Sequence, residues 1–173
     1  MTLESVKWVS ACTLAEHGQG ILSIYNEVIA HSTALYEYEP RTWADMENWF
    51  ELKAQRGFPV IAAVRNDAPS QVLGFASYGT FRTYPAYQFT VEHSVYVDEA
   101  ARGQGLGRAL LERLIEQAKY SRYHTMIGVI DSQNSASLHL HAKMGFEKAG
   151  HLAQVGFKFD RWLDVDLYQI QLT

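Results

Sequence analysis

The chain has 173 residues, which suits a single domain, and its 47% hydrophobic and 20% charged residues are typical of a globular protein with a packed core. A formal net charge of −4 argues against a nucleic-acid partner, and the single cysteine, Cys12, excludes an internal disulfide framework. No apolar run reaches the roughly 20 residues of a membrane span, and the N-terminus lacks a signal-peptide pattern. We therefore expect a cytoplasmic protein with no membrane partner.

The first half of the chain predicts a strand, two helices and a hairpin. An apolar stretch at 6–11 predicts the strand. Thr13 and Thr42 each stand three residues before an acidic side chain, a pattern that caps helix N-termini, and apolar residues at helical spacing follow both. Two apolar runs, 59–64 and 72–81, are separated by the turn-forming sequence NDAPSQ and therefore predict a buried hairpin.

The second half predicts strands that alternate with helices. An aromatic loop at 82–88 leads into a long strand at 89–97. The glycine-rich segment 101–107 leads into the clearest helix, in which apolar residues recur every four positions from Leu106. The remainder predicts a strand, a helix and two further strands, at 125–130, 134–144, 146–155 and 165–172. This order is typical of one mixed α/β domain, which we expect to span residues 1–173.

The glycine-rich segment reads ARGQGLG and joins a strand to a helix, an arrangement whose exposed N–H groups bind anions, phosphate above all. It is not a Walker loop, which needs Gly-Lys-Ser/Thr. Nor is it a dinucleotide fingerprint, because Arg108 stands where the third glycine would be. What remains is R-x-x-G-x-G, in which the guanidinium of Arg102 suits a phosphate. The segment predicts a phosphate-binding loop, and a tight turn without a ligand is the alternative that the spacing leaves open.

Two motifs resemble the GNAT superfamily of N-acetyltransferases. The glycine-rich segment is similar to that superfamily's acyl-CoA loop, and NSASLHLHAKMGF at 134–146 is similar to its later motif. The resemblance implies acetyl-CoA as co-substrate and an α/β fold with a mixed, mainly antiparallel sheet flanked by helices, in which the central strands splay apart in a V. The cofactor-binding residues that it implies are Val95, Tyr96, Val97, Arg102, Gly103, Gln104, Gly105, Leu106, Gly107, Arg108, Asn134 and Ser137.

Further segments, at 31–40, 89–97 and 155–169, resemble the phosphinothricin acetyltransferase branch of that superfamily. The branch acetylates the α-amino group of glutamate-like compounds, including phosphinothricin and methionine sulfoximine, and forms homodimers. The resemblance covers nearly the whole chain. It implies a small amino-acid-like acceptor and a homodimer, to which the apolar, aromatic C-terminal strands are suited.

Acetyl transfer from a thioester to an amine needs a base, a polarised carbonyl and a stabilised thiolate. Glu92 is the candidate base, because a carboxylate is out of place in mid-strand and partial burial raises its pKa. The resemblance supports this role, since the matching glutamate of the branch is the proposed base. A solvent-facing charge is the alternative for Glu92. His93 is a rival base, which alternation along the strand places on the opposite face.

His141 is the candidate proton donor to the thiolate. It lies seven residues, or two helical turns, after Asn134 and shares its side of the helix. Many GNAT enzymes have a tyrosine at this position, and a histidine held against the core by a backbone hydrogen bond is the alternative. We expect no metal, because the seven histidines include no H-E-x-x-H pattern.

A glutamate-like acceptor carries a carboxylate and therefore favours a cation with a fork of N–H donors. The resemblance implies an acceptor site made of Thr33, Tyr36, Arg82, Tyr87 and Glu92. Two positions depart from the branch: Tyr84 replaces an arginine that many relatives carry, and Asp160 stands where relatives often have glycine.

Two other functions compete with acetylation of a small amino acid. An acetyltransferase of protein or peptide amines would need an open groove, whereas the loops YEYEP and RTYPAYQ suggest a walled pocket. A CoA-binding regulatory module without catalysis is the other alternative, against which the presence of both Glu92 and His141 argues.

Overall fold

The computed structural model of the chain describes residues 5–172. Their elements follow the predicted order of strands and helices. They are β1 (Val6–Val9), α1 (Leu14–His31), α2 (Trp43–Arg56), β2 (Val60–Arg65), β3 (Val72–Thr80), β4 (Thr90–Val97), α3 (Leu106–Tyr120), β5 (Thr125–Asp131), α4 (Ser135–Lys143), β6 (Glu147–Lys158) and β7 (Arg161–Gln171).

One seven-stranded sheet organises the molecule, in the order β1-β2-β3-β4-β5-β7-β6. Every neighbouring pair is antiparallel except β4 and β5, which run parallel. These two strands pair only over Thr90–Thr125, Val91–Met126 and Glu92–Ile127, and beyond Glu92 they separate. The predicted mixed, mainly antiparallel α/β fold is confirmed, and the separation of β4 from β5 is the opening of its V.

Helices cover both faces of the sheet and explain why β2 and β3 are apolar throughout. On one face, α3 packs leucines such as Leu110 and Leu114 against Ala76 and Val91. On the other face, α1 and α2 form a second cluster with the sheet, which includes Phe75. Both helix starts are capped as predicted, since the Thr13 and Thr42 side chains accept hydrogen bonds from backbone N–H groups three residues later.

The β6–β7 hairpin is longer than the sequence predicted and closes in a two-residue turn. Phe159 and Asp160 both adopt left-handed backbone conformations, with φ of 52° and 56°, which is the pattern of a tight hairpin turn. Aspartate tolerates this conformation better than most residues, so Asp160 can occupy the turn without a glycine. Within the described residues, no helix has both the length and the apolarity to cross a membrane.

Candidate active site

A cleft of about 450 Å³ lies where β4 and β5 separate. The end of α1 and the loop after it form one wall, and β4 and the loops that precede α3 and α4 form the others. The cleft is lined by Val28, Ser32, Thr33, Ala34, Val95, Tyr96, Val97, Arg102, Gln133, Asn134 and Arg161. The structure therefore brings together predicted cofactor residues from three segments, and it adds the predicted acceptor residue Thr33.

The C-terminal half of β4 offers a strand edge to this cleft. β3 pairs with β4 as far as Val97, whereas β5 pairs with it only as far as Glu92. Backbone groups of 94–97 that point away from β3 therefore face the cleft. The Val97 carbonyl accepts a hydrogen bond from Arg102 Nε at 3.1 Å. Asp98 N–H bonds to Leu73 of β3, so by alternation the backbone of Tyr96 also faces β3, and Val95 supplies the edge groups to which an extended ligand can bind by strand addition.

The glycine-rich segment forms the N-terminus of α3. Gly103 and Gly105 have φ of 76° and 80°, left-handed values that favour glycine, and Gly105 is the residue that caps the helix. The first-turn N–H groups of Leu106, Gly107 and Arg108 have no partners within the helix and carry the positive end of its dipole. This is the geometry of an anion site, and phosphate binding by this loop stays a prediction.

Arginines and a polar side chain surround this helix start. Arg102 pairs with Glu27 at 2.5 Å, and Arg108 pairs with Glu112 at 2.8 Å. Gln104 donates to a backbone carbonyl one turn earlier. The Arg108–Glu112 pair is solvent-exposed and therefore weak, and the Arg102–Glu27 pair is partly exposed, so a phosphate can compete for either guanidinium.

Asn134 and Ser137 lie together at the start of α4. Asn134 is the N-cap residue of this helix, and its side-chain oxygen accepts the Ser137 N–H at 3.1 Å. The amide nitrogen of Asn134, which lines the cleft, has donors left for a ligand.

Glu92 is the last residue of β4 that pairs with β5, so it stands at the point where the strands part. It is partly exposed on the face that Ser94 and Tyr96 share, and His93 is buried on the opposite face, as alternation predicted. Burial raises the pKa of Glu92, and the nearby charge of Arg82 opposes that rise. The site thus holds a carboxylate with increased basicity where a base would be needed.

His141 is buried and contacts His93 across the splay. His141 Nδ1 lies 2.7 Å from the Ser137 carbonyl oxygen, so this nitrogen carries the proton. Burial lowers the pKa of both histidines, that of His93 to about 3, so both rings are neutral. The two Nε2 atoms are 3.0 Å apart, and His93 must therefore be the donor in this hydrogen bond.

This arrangement adds a condition to the role predicted for His141. Its backbone hydrogen bond to Ser137 is the contact that the alternative interpretation anticipated. Its Nε2 accepts from His93 and holds no proton to give. The role of thiolate proton donor stays a prediction, and it requires that a proton first reach Nε2. Gly128 makes the pair possible, because a Cβ there would stand 2.9 Å from His93 Nε2.

The predicted acceptor residues form two groups. The Arg82 guanidinium lies 5.3 Å from the Phe81 ring, which also packs against Tyr87, and its charge acts on Glu92. Tyr36 belongs with Thr33 in the loop after α1; burial, with the charges of nearby aspartates, raises its pKa to about 12. The predicted pocket therefore has one group beside Glu92 and another beside the β6–β7 hairpin.

Sequence reasoning missed the residues that hold the loop after α1 in place. Lys158 is 3% exposed, and its Nζ donates to the carbonyl oxygens of Ser32 and Leu35, at 2.8 and 2.6 Å. The Tyr36 ring packs directly on Gly156, where a Cβ would stand only 2.3 Å from it. The available signal was a lysine flanked by two phenylalanines in an apolar strand.

Over residues 5–172, no three histidine, cysteine, aspartate or glutamate side chains gather closely enough to hold a metal ion.

The chain is similar to known acetyltransferases in both sequence and fold. The sequence model of the Acetyltransferase (GNAT) family matches residues 22–146. The chain is 45% identical, over 153 residues and 88% of both chains, to L-methionine sulfoximine/L-methionine sulfone acetyltransferase of Pseudomonas aeruginosa. It is 39% identical to phosphinothricin N-acetyltransferase of Alcaligenes faecalis, over 88% of this chain and 77% of that one. The solved structure of yncA from Salmonella typhimurium with its cofactor acetyl-CoA is 38% identical, with a TM-score of 0.91 over 97% of this chain and 94% of that one.

Proposed function

Because this chain belongs to the GNAT family of acetyltransferases, we propose that it moves an acetyl group from acetyl-CoA to the α-amino group of a small glutamate-like amino acid. The acceptors are methionine sulfoximine, methionine sulfone and phosphinothricin, the compounds that the names of its relatives contain. The observation that carries the proposal is the position of Glu92, a basic carboxylate where β4 and β5 part. We assign the activity to a single domain that spans the chain.

The residues of the cleft fit acetyl-CoA. The N–H groups at the start of α3, with Arg102 and Arg108, suit a pyrophosphate. The free edge of 95–97 suits the amide-containing pantetheine arm, and Asn134 and Ser137 stand on the other side of the splay. The co-substrate supplies an activated acetyl group as its thioester.

The chain's residues then serve the transfer in order. Glu92 takes a proton from the acceptor ammonium, and the free amine attacks the thioester carbon. A backbone N–H of the free β4 edge stabilises the negative oxygen that develops there. The C–S bond breaks, an amide remains, and the thiolate takes up a proton. The proton comes from the attacking nitrogen, which must lose one as it becomes an amide. His141 delivers it to the thiolate through Nε2, once the hydrogen bond from His93 has opened and this nitrogen has taken the proton up.

A homodimer forms part of the proposal. The β6–β7 hairpin carries apolar side chains that are largely exposed: Leu152, Val155, Phe157, Phe159 and Trp162. Exposed apolar side chains concentrated in one hairpin, two of which, Phe157 and Trp162, are in ring contact, suit a protein interface, and a second copy of the chain is its proposed occupant. Light scattering should give twice the chain mass for wild type and the single mass for Trp162→Lys. A monomeric wild type would contradict the dimer.

The test of the function is thiol release from acetyl-CoA by the purified protein. The panel contains methionine sulfoximine, methionine sulfone, phosphinothricin, glutamate and a short peptide. We expect turnover with the first three and none with the peptide. Turnover confined to the peptide would favour the protein or peptide acetyltransferase. Acetyl-CoA binding without turnover of any acceptor would favour a regulatory module. A cytoplasmic setting is proposed because acetyl-CoA is the donor.

A further inference from the structure

Lys53, on α2, is a partly buried cation that the mechanism above leaves unused. Its Nζ donates to the Tyr78 carbonyl oxygen at 2.7 Å and lies 5.2 and 5.6 Å from the Trp49 and Phe58 rings. No carboxylate of the described part of the chain forms an ion pair with it. An ammonium has three donors, so two remain for another partner.

The sheet register places both this ammonium and Glu92 next to Gly79. Gly79 of β3 lies directly opposite Glu92 of β4, and directly opposed residues project from the same face with Cβ positions about 5 Å apart. A Cβ built on Gly79 would stand 3.6 Å from Lys53 Nζ, and no other atom outside its chain neighbours lies within 4 Å. Glu92 and Lys53 therefore flank a partly exposed position that has no side chain of its own.

We propose that Lys53 binds the α-carboxylate of the acceptor, an inference that rests on the proposed function. In an α-amino acid the amine and the carboxylate are attached to the same carbon, so an amine placed at Glu92 brings the carboxylate into the space above Gly79. A cation without an anionic partner stands at that space. Burial lowers the pKa of Lys53 to about 8, and the charge of Arg41 adds to this. A bound carboxylate would compensate that cost through a charge-assisted hydrogen bond.

The experiment separates recognition of the carboxylate from a structural role of Lys53. Wild type and Lys53→Met are assayed with methionine sulfone and with its decarboxylated analogue, 3-(methylsulfonyl)propylamine. We expect kcat/KM for the sulfone to fall about 10- to 100-fold, the cost of a lost charged hydrogen bond, while the value for the analogue changes by less than about threefold. Lys53→Arg should recover part of the loss. Lys119→Met, an exposed lysine at the end of α3, is the matched control and should behave as wild type.

Three results would overturn the inference. An equal loss with both acceptors would show that Lys53 acts only through the Tyr78 carbonyl and the packing around it. An unchanged preference for the carboxylated acceptor would show that Lys53 does not contact the carboxylate. Loss of that preference in Arg82→Met alone would assign the carboxylate to the other cation. If wild type turns over neither acceptor, nor any other of the panel, the proposed function itself fails, and the inference with it.

Discussion

Replacing Glu92 by glutamine should separate activity from stability. Glutamine has nearly the same shape but cannot accept a proton at neutral pH, so the amine would have to lose its proton to water. A positioned general base contributes about 10²- to 10⁴-fold, which corresponds to about 3 to 5 kcal/mol of the activation barrier. We expect kcat in Glu92→Gln to fall by that factor, with the KM for acetyl-CoA unchanged.

The same substitution should not destabilise the fold. Because burial raises the pKa of Glu92 above its ordinary value of 4.5, ionisation of this side chain costs the folded state free energy at pH values above the raised pKa. The neutral variant avoids that cost. We therefore expect the Tm of Glu92→Gln to equal or exceed that of wild type at neutral pH. The difference should shrink as the pH falls below the raised pKa and vanish below the ordinary value of 4.5.

The assay is initial-rate thiol release between acidic and mildly alkaline pH, beside thermal unfolding. In wild type, kcat/KM should rise with pH through a limb whose pKa lies above 4.5, and Glu92→Gln should lack this limb. Glu147→Gln, which removes an exposed carboxylate at the start of β6, is the control. A variant that retains kcat within about threefold of wild type, or one whose lost activity follows a lowered Tm, would refute the reasoning.

Three further substitutions test the surroundings of the site. His93 stays neutral in the folded protein because its pKa is about 3, whereas in the unfolded chain it gains a proton at mildly acidic pH. Through this one side chain, the unfolding free energy of wild type should therefore fall by about 1.4 kcal/mol for each pH unit below about 6. Urea denaturation should show that His93→Leu lacks this contribution, and an unchanged slope would contradict it. Lys158→Met leaves the carbonyl groups of Ser32 and Leu35 without their donor. Its unfolding free energy should therefore fall by about 2 kcal/mol, and its KM for the acceptor should rise. A rise in the KM for acetyl-CoA alone would contradict the idea that Lys158 holds the loop after α1 in place for the acceptor. Gly156→Ala should displace the Tyr36 ring and raise the acceptor KM with little loss of Tm, and an unaltered KM would remove Tyr36 from the acceptor site.

Local chemistry explains what the sequence could predict. Three kinds of feature depend only on a few neighbouring residues, and each has its predicted structure: the helix caps at Thr13 and Thr42, the helix with four-residue spacing after Leu106, and the glycine-rich turn before it. The alternation that separates Glu92 from His93 is equally local.

Contacts between distant segments explain what it could not. His93 and His141 are 48 residues apart in the sequence, and Lys158 bonds to a carbonyl 126 residues away. The spacing of residues within one helix or strand therefore cannot predict either contact. The position of Lys53 and Glu92 on either side of Gly79 depends on the register of β3 with β4. For the histidine pair, Gly128 was an available hint, since a glycine in a buried strand often marks a close approach of two elements.

The separation of β4 from β5 also bears on aggregation. An unpaired strand edge is normally a liability, because it invites strands of other molecules to add to the sheet. Here the free edge of 95–97 lies in the middle of a seven-stranded sheet, at the wall of a cleft of about 450 Å³. A foreign strand would need room for side chains on both of its faces, whereas a slender unbranched arm would not. The unpaired backbone groups of this edge can therefore hydrogen-bond a small molecule in the cleft, whereas the narrow cleft excludes the strand of another polypeptide.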